Sequence, residues 1–457
     1  MSSRTPSQSV VIALLAAVFA AIGAHAATIR VPGDQPSISE GVAAASEGDT
    51  VRVAAGTYSG IMNRDLDFGG TNIVLVSESG YMSTFIDCGS VARGFVFASG
   101  EDTTSVVRGF TIEHAFADSG GAVVCVNASS PRFEDCVFQQ NSAMDIGGAV
   151  ACLEASNPIF RDCTFGMNFA TGALSPRGGA VACLDNSSAV FYRCSFSGNT
   201  AANFGGAVHC QASSPTFRSC MFAFNEATIQ GGGAMFLMTS SSPLIEWCSF
   251  VGNTCGTGGG AICGHSSPAS LSDCLFYQNE AAGSGGALQL LYSESTGQFT
   301  DCMFVGNYAQ IGGVLYCYDG ANVTFGNCTF VSNIATVDGS LVVANDASPV
   351  FTRSVVTDSD GDPLVYCGGT AAPVFSKVVL YDNSPNDDLC GSVSDTLHRD
   401  PLFCDAAGFD WSLCEDSVCA PANNAWGELI GAKPVGCGAC GTPVEAATWG
   451  GIKALFR

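Results

Sequence analysis

The feature that most constrains this chain is a motif that returns every 26 to 31 residues through its middle. One unit reads SSPRFEDCVFQQNSAMDIGGAVAC, and a later one reads SSPTFRSCMFAFNEATIQGGGAM. The Phe-x-x-Asn element places one asparagine in each unit: Asn141, Asn168, Asn199, Asn225, Asn253, Asn279, Asn307 and Asn333. A cysteine two positions before each phenylalanine keeps the same step: Cys136, Cys163, Cys194, Cys220, Cys248, Cys274, Cys302 and Cys328. Such regularity predicts a solenoid.

Each unit contains short apolar runs of period two, such as Cys-x-Phe and Gly-Gly-Ala-Val-x-Cys, separated by Gly, Asn and Ser-Pro. These runs are too short and too close together for βαβ units, and no helical periodicity lies between them. We therefore predict an all-β fold, a single parallel β-helix solenoid with three short strands per turn. Equal positions of consecutive turns then lie ~4.8 Å apart, so that the Phe, Cys and Asn side chains form columns.

The polar positions of the repeat have predicted structural roles. The asparagines should form a ladder of turn residues, because Asn tolerates positive φ and its amide can bond to the Asn above and below. The Gly-Gly pairs should occupy bends in which a Cβ would clash.

Most of the 23 cysteines are predicted to be buried thiols. Leu237 and Leu290 stand where other units have a cysteine, such as Cys152 or Cys210, which indicates a small buried hydrophobe. Disulfides between stacked turns are the alternative. After about residue 389 the repeat is lost, and the cysteines there are disulfide candidates without an assigned pairing: Cys390, Cys404, Cys414, Cys419, Cys437 and Cys440.

The sequence divides into four segments. Residues 1–26 are predicted to be a signal peptide, with an apolar run from Val10 to Ala24 and a cleavage site before Ala27. The alternative is a membrane anchor, but the run is shorter than the roughly 20 residues that span a bilayer. Residues 27–389 form the predicted β-helix, with clear repeats over about 118–345. Residues 390–442 are the Cys-rich segment, and the tail 443–457 is either a cap on the coil or a sorting tag.

A single helix is predicted near the start of the β-helix. Residues Ser37 to Ser46 follow Pro36 and contain three consecutive alanines. A helix there would cover the apolar end of the first coil, as solenoids require at their termini.

Charge excludes one class of partner. The chain has 17 Lys and Arg against 41 Asp and Glu. The resulting net charge of −24 is incompatible with binding to the phosphates of nucleic acids. No stretch after the leader is long and apolar enough to span a membrane. We therefore expect an exported protein, extracellular or at the cell surface.

The opening sequence ATIRVPGDQPSISEGVAAASEGDTVRVAAGTYSG resembles the start of bacterial right-handed parallel β-helix proteins of the pectin-lyase-like superfamily. The Gly-Gly-Ala-Val and Phe-x-x-Asn motifs resemble the repeats of chlamydial polymorphic outer-membrane proteins. The resemblance covers roughly residues 28–385 and implies a right-handed coil in a surface or secreted setting. It also implies an enzymatic alternative, because many members cleave acidic polysaccharides.

The repeats offer little catalytic chemistry. The lyases of this fold use a carboxylate-held cation with a Lys or Arg, yet no Lys or Arg occurs between Ser219 and Thr352. The hydrolases use clustered aspartates, and no Asp-Asp pair occurs in the repeats. We therefore assign no catalytic or cofactor-binding residue.

Two pairs of carboxylates precede the cysteine column on adjacent turns, Asp135 with Asp162 and Asp273 with Asp301. Charges about 5 Å apart repel by roughly 3 kcal/mol at an effective dielectric of 20. A solvated acidic face is the favoured interpretation, and a Ca²⁺ site at these weak metal candidates is the alternative. His114, His209 and His265 have no second ligand at metal spacing in the sequence.

Two functions follow as expectations. The first is a non-catalytic binding, adhesion or spacer protein that contacts a glycan or another protein along the solenoid. The alternative is a polysaccharide-active lyase or glycoside hydrolase. A groove that combines several carboxylates with an arginine would favour the enzyme, whereas a smooth Ser, Thr and Asn face would favour binding.

Overall fold

The computed structural model describes residues 26–172, 175–384 and 387–440. Three predicted parts lie outside these residues: the signal peptide apart from its last residue, the last two positions of the Cys-rich segment, and the tail 443–457. Within them the chain winds into one long coil of parallel β-strands, which confirms the predicted all-β solenoid.

Three parallel sheets form the faces of the coil. The largest has 27 strands in two neighbouring columns, which strand Val374–Tyr381 joins by pairing with both. Its strands are Thr28–Val31, Thr50–Val53, Gly56–Ser59, Val74–Ser77, Thr84–Asp87, Val106–Arg108, Thr111–Glu113, Arg132–Glu134, Val137–Gln139, Ile159–Arg161, Thr164–Gly166, Val190–Tyr192, Ser195–Ser197, Thr216–Arg218, Met221–Ala223, Leu244–Glu246, Ser249–Val251, Ala269–Ser272, Leu275–Tyr277, Gly297–Thr300, Met303–Val305, Val323–Gly326, Thr329–Val331, Val350–Thr352, Val355–Thr357, Val374–Tyr381 and Ser392–His398.

The two smaller parallel sheets have nine and 12 strands. The nine strands are Phe116–Ser119, Ser142–Ile146, Phe169–Ala170, Thr200–Ala201, Glu226–Ala227, Thr254–Cys255, Glu280–Ser284, Tyr308–Ile311 and Ile334–Asp338. The 12 strands are Leu66–Asp67, Phe95–Phe97, Val123–Cys125, Val150–Cys152, Val181–Leu184, Val208–Gln211, Met235–Met238, Ile262–His265, Leu288–Leu291, Leu315–Tyr318, Val342–Asn345 and Val365–Gly368.

A middle turn has four strands, so the prediction of three was wrong. One such turn runs through Arg132–Glu134, Val137–Gln139, Ser142–Ile146 and Val150–Cys152. The extra break lies at Asp135, whose φ of 50° puts the backbone in the left-handed region. The chain therefore bends just before the cysteine and divides one expected strand into two.

Identical residues stack in register inside the coil. Phe138 pairs with Phe165, and their rings stack with centroids 4.9 Å apart. Cys210 pairs with Leu237, as the replacement pattern indicates. The column cysteines are free and buried, which confirms their expected role as small hydrophobes.

The asparagines form a continuous internal ladder. The Nδ2 of Asn253 donates to Oδ1 of Asn279 at 2.9 Å and to the carbonyl of Phe222 at 2.9 Å. Its own Oδ1 accepts from the backbone N–H and the Nδ2 of Asn225. The residue that adopts positive φ is the one before each asparagine, such as Gly252 at 59°. The asparagine is therefore placed for its amide bonds and not for a left-handed backbone.

The Gly-Gly pairs occupy crowded bends, as predicted. Gly147 has a φ of 62°, and a Cβ added to Gly148 would overlap the carbonyl oxygen of Gly179 on the next turn.

One α-helix, Ile38–Ala44, covers the start of the coil, slightly shorter than the prediction from Ser37 to Ser46. Ser37 is its N-cap: the hydroxyl accepts from the N–H of Glu40 and donates to the Glu40 carboxylate. Ile38 and Val42 are buried against the first turns. The chain's predicted capping helix is confirmed.

The Cys-rich segment folds back onto the side of the coil. Its strands Phe403–Asp405, Asp410–Cys414 and Val435–Cys437 form a three-stranded sheet. Ile430 is buried together with Val355 and Val379 of the coil. Glu428 accepts from the ammonium group of Lys377 at 2.7 Å, which adds an ion pair to this contact.

Three disulfides occur, as predicted for this part of the chain, and they join Cys367 to Cys390, Cys404 to Cys437, and Cys414 to Cys440. Two individual assignments differ from the prediction. Cys419 is not in a disulfide: it is free and buried beside Leu413 and Ile430, where it serves as a small apolar side chain. Cys367 was missed because it belongs to a column of buried residues; it lies on the last strand of its sheet, half-buried and within reach of Cys390.

Candidate functional site

The residues before the cysteine column form an outward-facing line along one corner of the coil. Each has a left-handed backbone, so the side chain projects away from the core. We call this line the outer column, and it consists of Asp135, Asp162, Arg193, Ser219, Trp247, Asp273, Asp301, Asn327, Arg353 and Lys377.

One carboxylate in the early part of the outer column, Asp162, is paired with an arginine. Arg193 donates two hydrogen bonds of 2.6 Å to the carboxylate of Asp162 on the preceding turn. The same guanidinium lies over the ring of Tyr192, 4.3 Å from its centroid. Asp135 lies one turn before Asp162, on the solvent side. Both predicted pairs lie on adjacent turns, but Asp162 bonds to an arginine and only the second pair, Asp273 and Asp301, lies further along without one.

That second pair lies in a cleft between the coil and the Cys-rich segment. The cleft has a volume of about 340 Å³. The outer column contributes Trp247, Asp273 and Asp301. The Cys-rich segment contributes Phe409, Asp410, Trp411 and Lys433. We call it the lateral cleft.

Aromatic side chains form walls of the lateral cleft. Trp247 is 58% exposed although it is a large apolar side chain, whereas Trp411 is only 8% exposed. Trp411 is anchored against Met303 and contacts the ring of Phe409 edge-on, with centroids 5.6 Å apart. One wall is therefore fixed by packing and the other is open to solvent.

The charges of the lateral cleft are mostly negative. Burial raises the pKa of Asp273, and the neighbouring carboxylate of Asp301 raises it further, while Lys433 opposes the rise. Asp410 accepts from the backbone N–H of Ser412 at 3.0 Å, which fixes its orientation. Lys433 is the single basic residue among the described residues that line the cleft.

Sequence reasoning found only part of this site. Asp273 and Asp301 were singled out from the sequence, whereas the repeats around them offer no Lys or Arg as a partner. Lys433, which lines the same cleft, lies more than 130 positions after Asp301 in the sequence. Asp410, Trp411 and Lys433 carry no periodic signal, since the segment that holds them lies outside the repeat.

Two other groups of polar side chains, His114 and the serines of one corner, form hydrogen bonds within the protein. His114 has neighbours that the sequence did not indicate: its Nδ1 lies 3.2 Å from Asp87, and its Nε2 lies 3.0 Å from Gln140. The Ser-rich corner of the repeats forms its own ladder, in which the N–H of Ser187 donates to the hydroxyl of Ser213 at 3.0 Å. These contacts hold neighbouring turns together.

The coil and its lateral cleft define a class of protein, a parallel β-solenoid with a side site built by a folded-back segment. The family model described as "Right handed beta helix region" matches residues 73–230 and 180–356, more than half of the chain. The chain belongs to this right-handed β-helix family.

Two solved structures are similar at 12% sequence identity. The pectin methylesterase from carrot has a TM-score of 0.25 over 85% of this chain and 92% of that chain. The A-module of the mannuronan C-5 epimerase AlgE6 from Azotobacter vinelandii has a TM-score of 0.32 over 78% and 92%. The search of curated proteins finds no match. In the described part of the chain, no helix combines the length and the apolar character of a membrane span.

Proposed function

We propose that this protein is an exported β-helix that binds an extended glycan in the lateral cleft. The observation that carries the proposal is the pairing of Trp247, exposed on the coil, with Trp411, fixed on the segment that folds back. Exposed large aromatics beside polar groups mark binding sites, because an unoccupied apolar face in water is unfavourable.

The chemistry of the cleft suits a sugar chain. The apolar faces of sugar rings pack on indole rings, and carboxylates such as Asp273, Asp301 and Asp410 accept hydrogen bonds from hydroxyl groups. Consecutive turns lie ~4.8 Å apart, close to the length of one sugar residue in an extended chain. A glycan that runs along the coil can therefore meet an equivalent position on each turn.

The proposal predicts that Trp247→Ala weakens glycan binding about tenfold or more, because the open aromatic wall is lost. A glycan array with the purified protein identifies a ligand, and calorimetry then compares the variant with the wild type. Tyr318→Ala is the matched control, since Tyr318 is 42% exposed on the 12-stranded sheet and does not line the cleft. Equal affinities of the wild type and Trp247→Ala would contradict the proposal.

A second candidate function is glycoside hydrolysis, which one observation favours. Asp273 has a raised pKa beside Asp301, and hydrolases use one carboxyl group that holds a proton with a second that is ionised. The test is the release of new reducing ends from the bound glycan. Turnover that Asp301→Asn abolishes while binding persists would establish the enzyme; binding without turnover favours the binding protein.

Export is part of the proposal. The three disulfides support an oxidising compartment, in which such bonds persist. N-terminal sequencing of secreted material should begin at Ala27. An intact Met1 in a membrane fraction would contradict export by a cleaved leader.

A further inference from the structure

We infer that the glycan of the lateral cleft carries free amino groups, as in a polymer of 2-amino-2-deoxy sugars, and is not a polyuronate. This inference rests on the proposed function and names the chemical class of its ligand. It starts from how carboxylates are partnered along the corner that carries the outer column.

Several acidic groups elsewhere on this side of the coil have basic partners, although Asp135 is not among them. Asp162 bonds to Arg193, Glu246 bonds to Arg218, and Glu428 bonds to Lys377. Asp273 and Asp301 have no basic group within ion-pair distance in the part of the chain that the structure describes. Asp135 is likewise without an ion pair, but only Asp273 and Asp301 of these unpaired carboxylates line the cleft.

The unpaired carboxylates lie where a ligand would contact them. Asp273 and Asp301 sit on successive turns and line the same cleft as Trp247 and Trp411. Asp410 adds a third carboxylate from the opposite side, and Lys433 offsets only one of the three charges. The cleft therefore has excess negative charge beside apolar walls.

Charge complementarity selects the ligand class. The whole chain carries a net charge of −24, so a polyanion would be repelled both by the molecule and by the cleft. Ammonium groups of such a polymer would form ion pairs with the unpaired carboxylates of Asp273 and Asp301 in the cleft. Each cation would also be attracted to the face of an adjacent indole ring.

The protonation behaviour of the cleft agrees with a cationic ligand. The pKa of Asp273 is raised by burial and then by the charges of Asp301 and Glu246, and it is lowered by Lys433; an ammonium group between Asp273 and Asp301 would also lower this pKa, because it favours the ionised carboxylate. Binding should therefore strengthen as pH rises through the pKa of Asp273, and weaken again when the amines of the ligand lose their protons.

Calorimetry on the full mature protein tests the inference with three oligosaccharides of equal length. The probes are a fully deacetylated chitin oligomer, the N-acetylated chitin oligomer and an oligogalacturonate. We expect the deacetylated oligomer to bind at least tenfold more tightly than either of the others. Its affinity should fall when the salt concentration is raised from 50 to about 300 mM, because salt screens exposed charges.

Variants then locate the interaction. Asp273→Asn with Asp301→Asn should remove the preference for the deacetylated oligomer, while Asp135→Asn, at the same corner outside the cleft, should retain it. Unchanged urea midpoints establish that all variants are folded. Retention of the preference in the double variant would overturn the inference.

The remaining outcomes separate the two proposals. Binding of the N-acetylated oligomer alone would overturn the inference and leave glycan binding standing. Absence of binding to any glycan would overturn both. Oligolysine that binds as tightly as the deacetylated oligomer would show that the cleft selects charge without recognising a sugar, and would also overturn the inference.

Discussion

At the scale of single residues, the interior of the coil contains polar groups that are fully paired. The ladder asparagines are 0% exposed, and from Asn141 to Asn307 both Nδ2 donors and the Oδ1 of each find partners on adjacent turns. Such a buried network stabilises one register, because a slipped turn would leave amides without partners.

Replacing one rung should therefore destabilise the coil. Asn253→Leu leaves the N–H groups of Asn225 without an acceptor and removes the donors to Phe222 and Asn279. We expect a loss of about 1–3 kcal/mol in the free energy of unfolding, measured by urea titration. Gln298→Leu, on an exposed strand position, is the control. Equal midpoints for both variants would count against the ladder.

His209 makes stability depend on pH. Its pKa is lowered from 6.5 to about 3, first because it is buried and second because Arg177 is near, while Gln211 opposes the effect. The unfolded chain binds a proton near pH 6.5 and the folded chain does not, so stability falls as pH falls from 6.5 towards 3. Between pH 7.5 and pH 5 the contribution is about 2 kcal/mol.

The variant His209→Gln should lose this part of the pH dependence. The readout is the change in unfolding free energy between pH 7.5 and pH 5, compared with the wild type, so that any constant destabilisation cancels. Gln298→Leu, an exposed substitution that changes no titratable group, should keep the wild-type pH dependence. A slope in His209→Gln equal to that of the wild type would show that His209 is accessible to protons.

At the scale of elements, the lateral cleft depends on how the Cys-rich segment is held. The disulfide between Cys404 and Cys437 encloses Phe409, Asp410, Trp411 and Lys433 in one loop. The segment is small, and its few buried residues contact the coil through Ile430 and Trp411. A cross-link is therefore a large part of its stability.

Removing that cross-link should loosen the cleft without melting the coil. In Cys404→Ser with Cys437→Ser, we expect a local loss of about 2–4 kcal/mol. Hydrogen exchange should accelerate in Asp410–Cys414, and glycan affinity should fall. Exchange in Val208–Gln211, in the middle of the coil, should not change and serves as the internal control. Unchanged protection of Asp410–Cys414 would mean that packing alone holds the segment.

At the scale of the whole molecule, the repeat determined what could be predicted. The Phe, Cys and Asn columns were visible because each recurs on eight turns, and the capping helix was visible through its alanines. The fourth strand was not, because residues as different as Asp135, Arg193 and Trp247 all adopt the same left-handed backbone. That conformation is imposed by the corner of the coil and has no signal in residue type.

The cleft was less predictable than the coil. Asp273 and Asp301 follow from the period, but Lys433 and Trp411 meet them only through tertiary contacts of a non-repeating segment. The disulfides illustrate the same limit. Cys419 was a disulfide candidate but is free, whereas Cys367 of the coil forms a disulfide, because the folded structure and not position in the sequence decides which thiols are close together.

The asparagine ladder has a consequence for how such a molecule can change in length. Each rung from Asn168 to Asn307 donates to the rung that follows and accepts from the one before, so the two surfaces of these turns are complementary copies of each other. A gene duplication that inserts one whole turn would meet the same partners on both sides and shift everything beyond it by ~4.8 Å. The separation between the N-terminal helix and the lateral cleft is thus a whole number of turns. Insertion or loss of single turns can change this separation without requiring a new interface between turns.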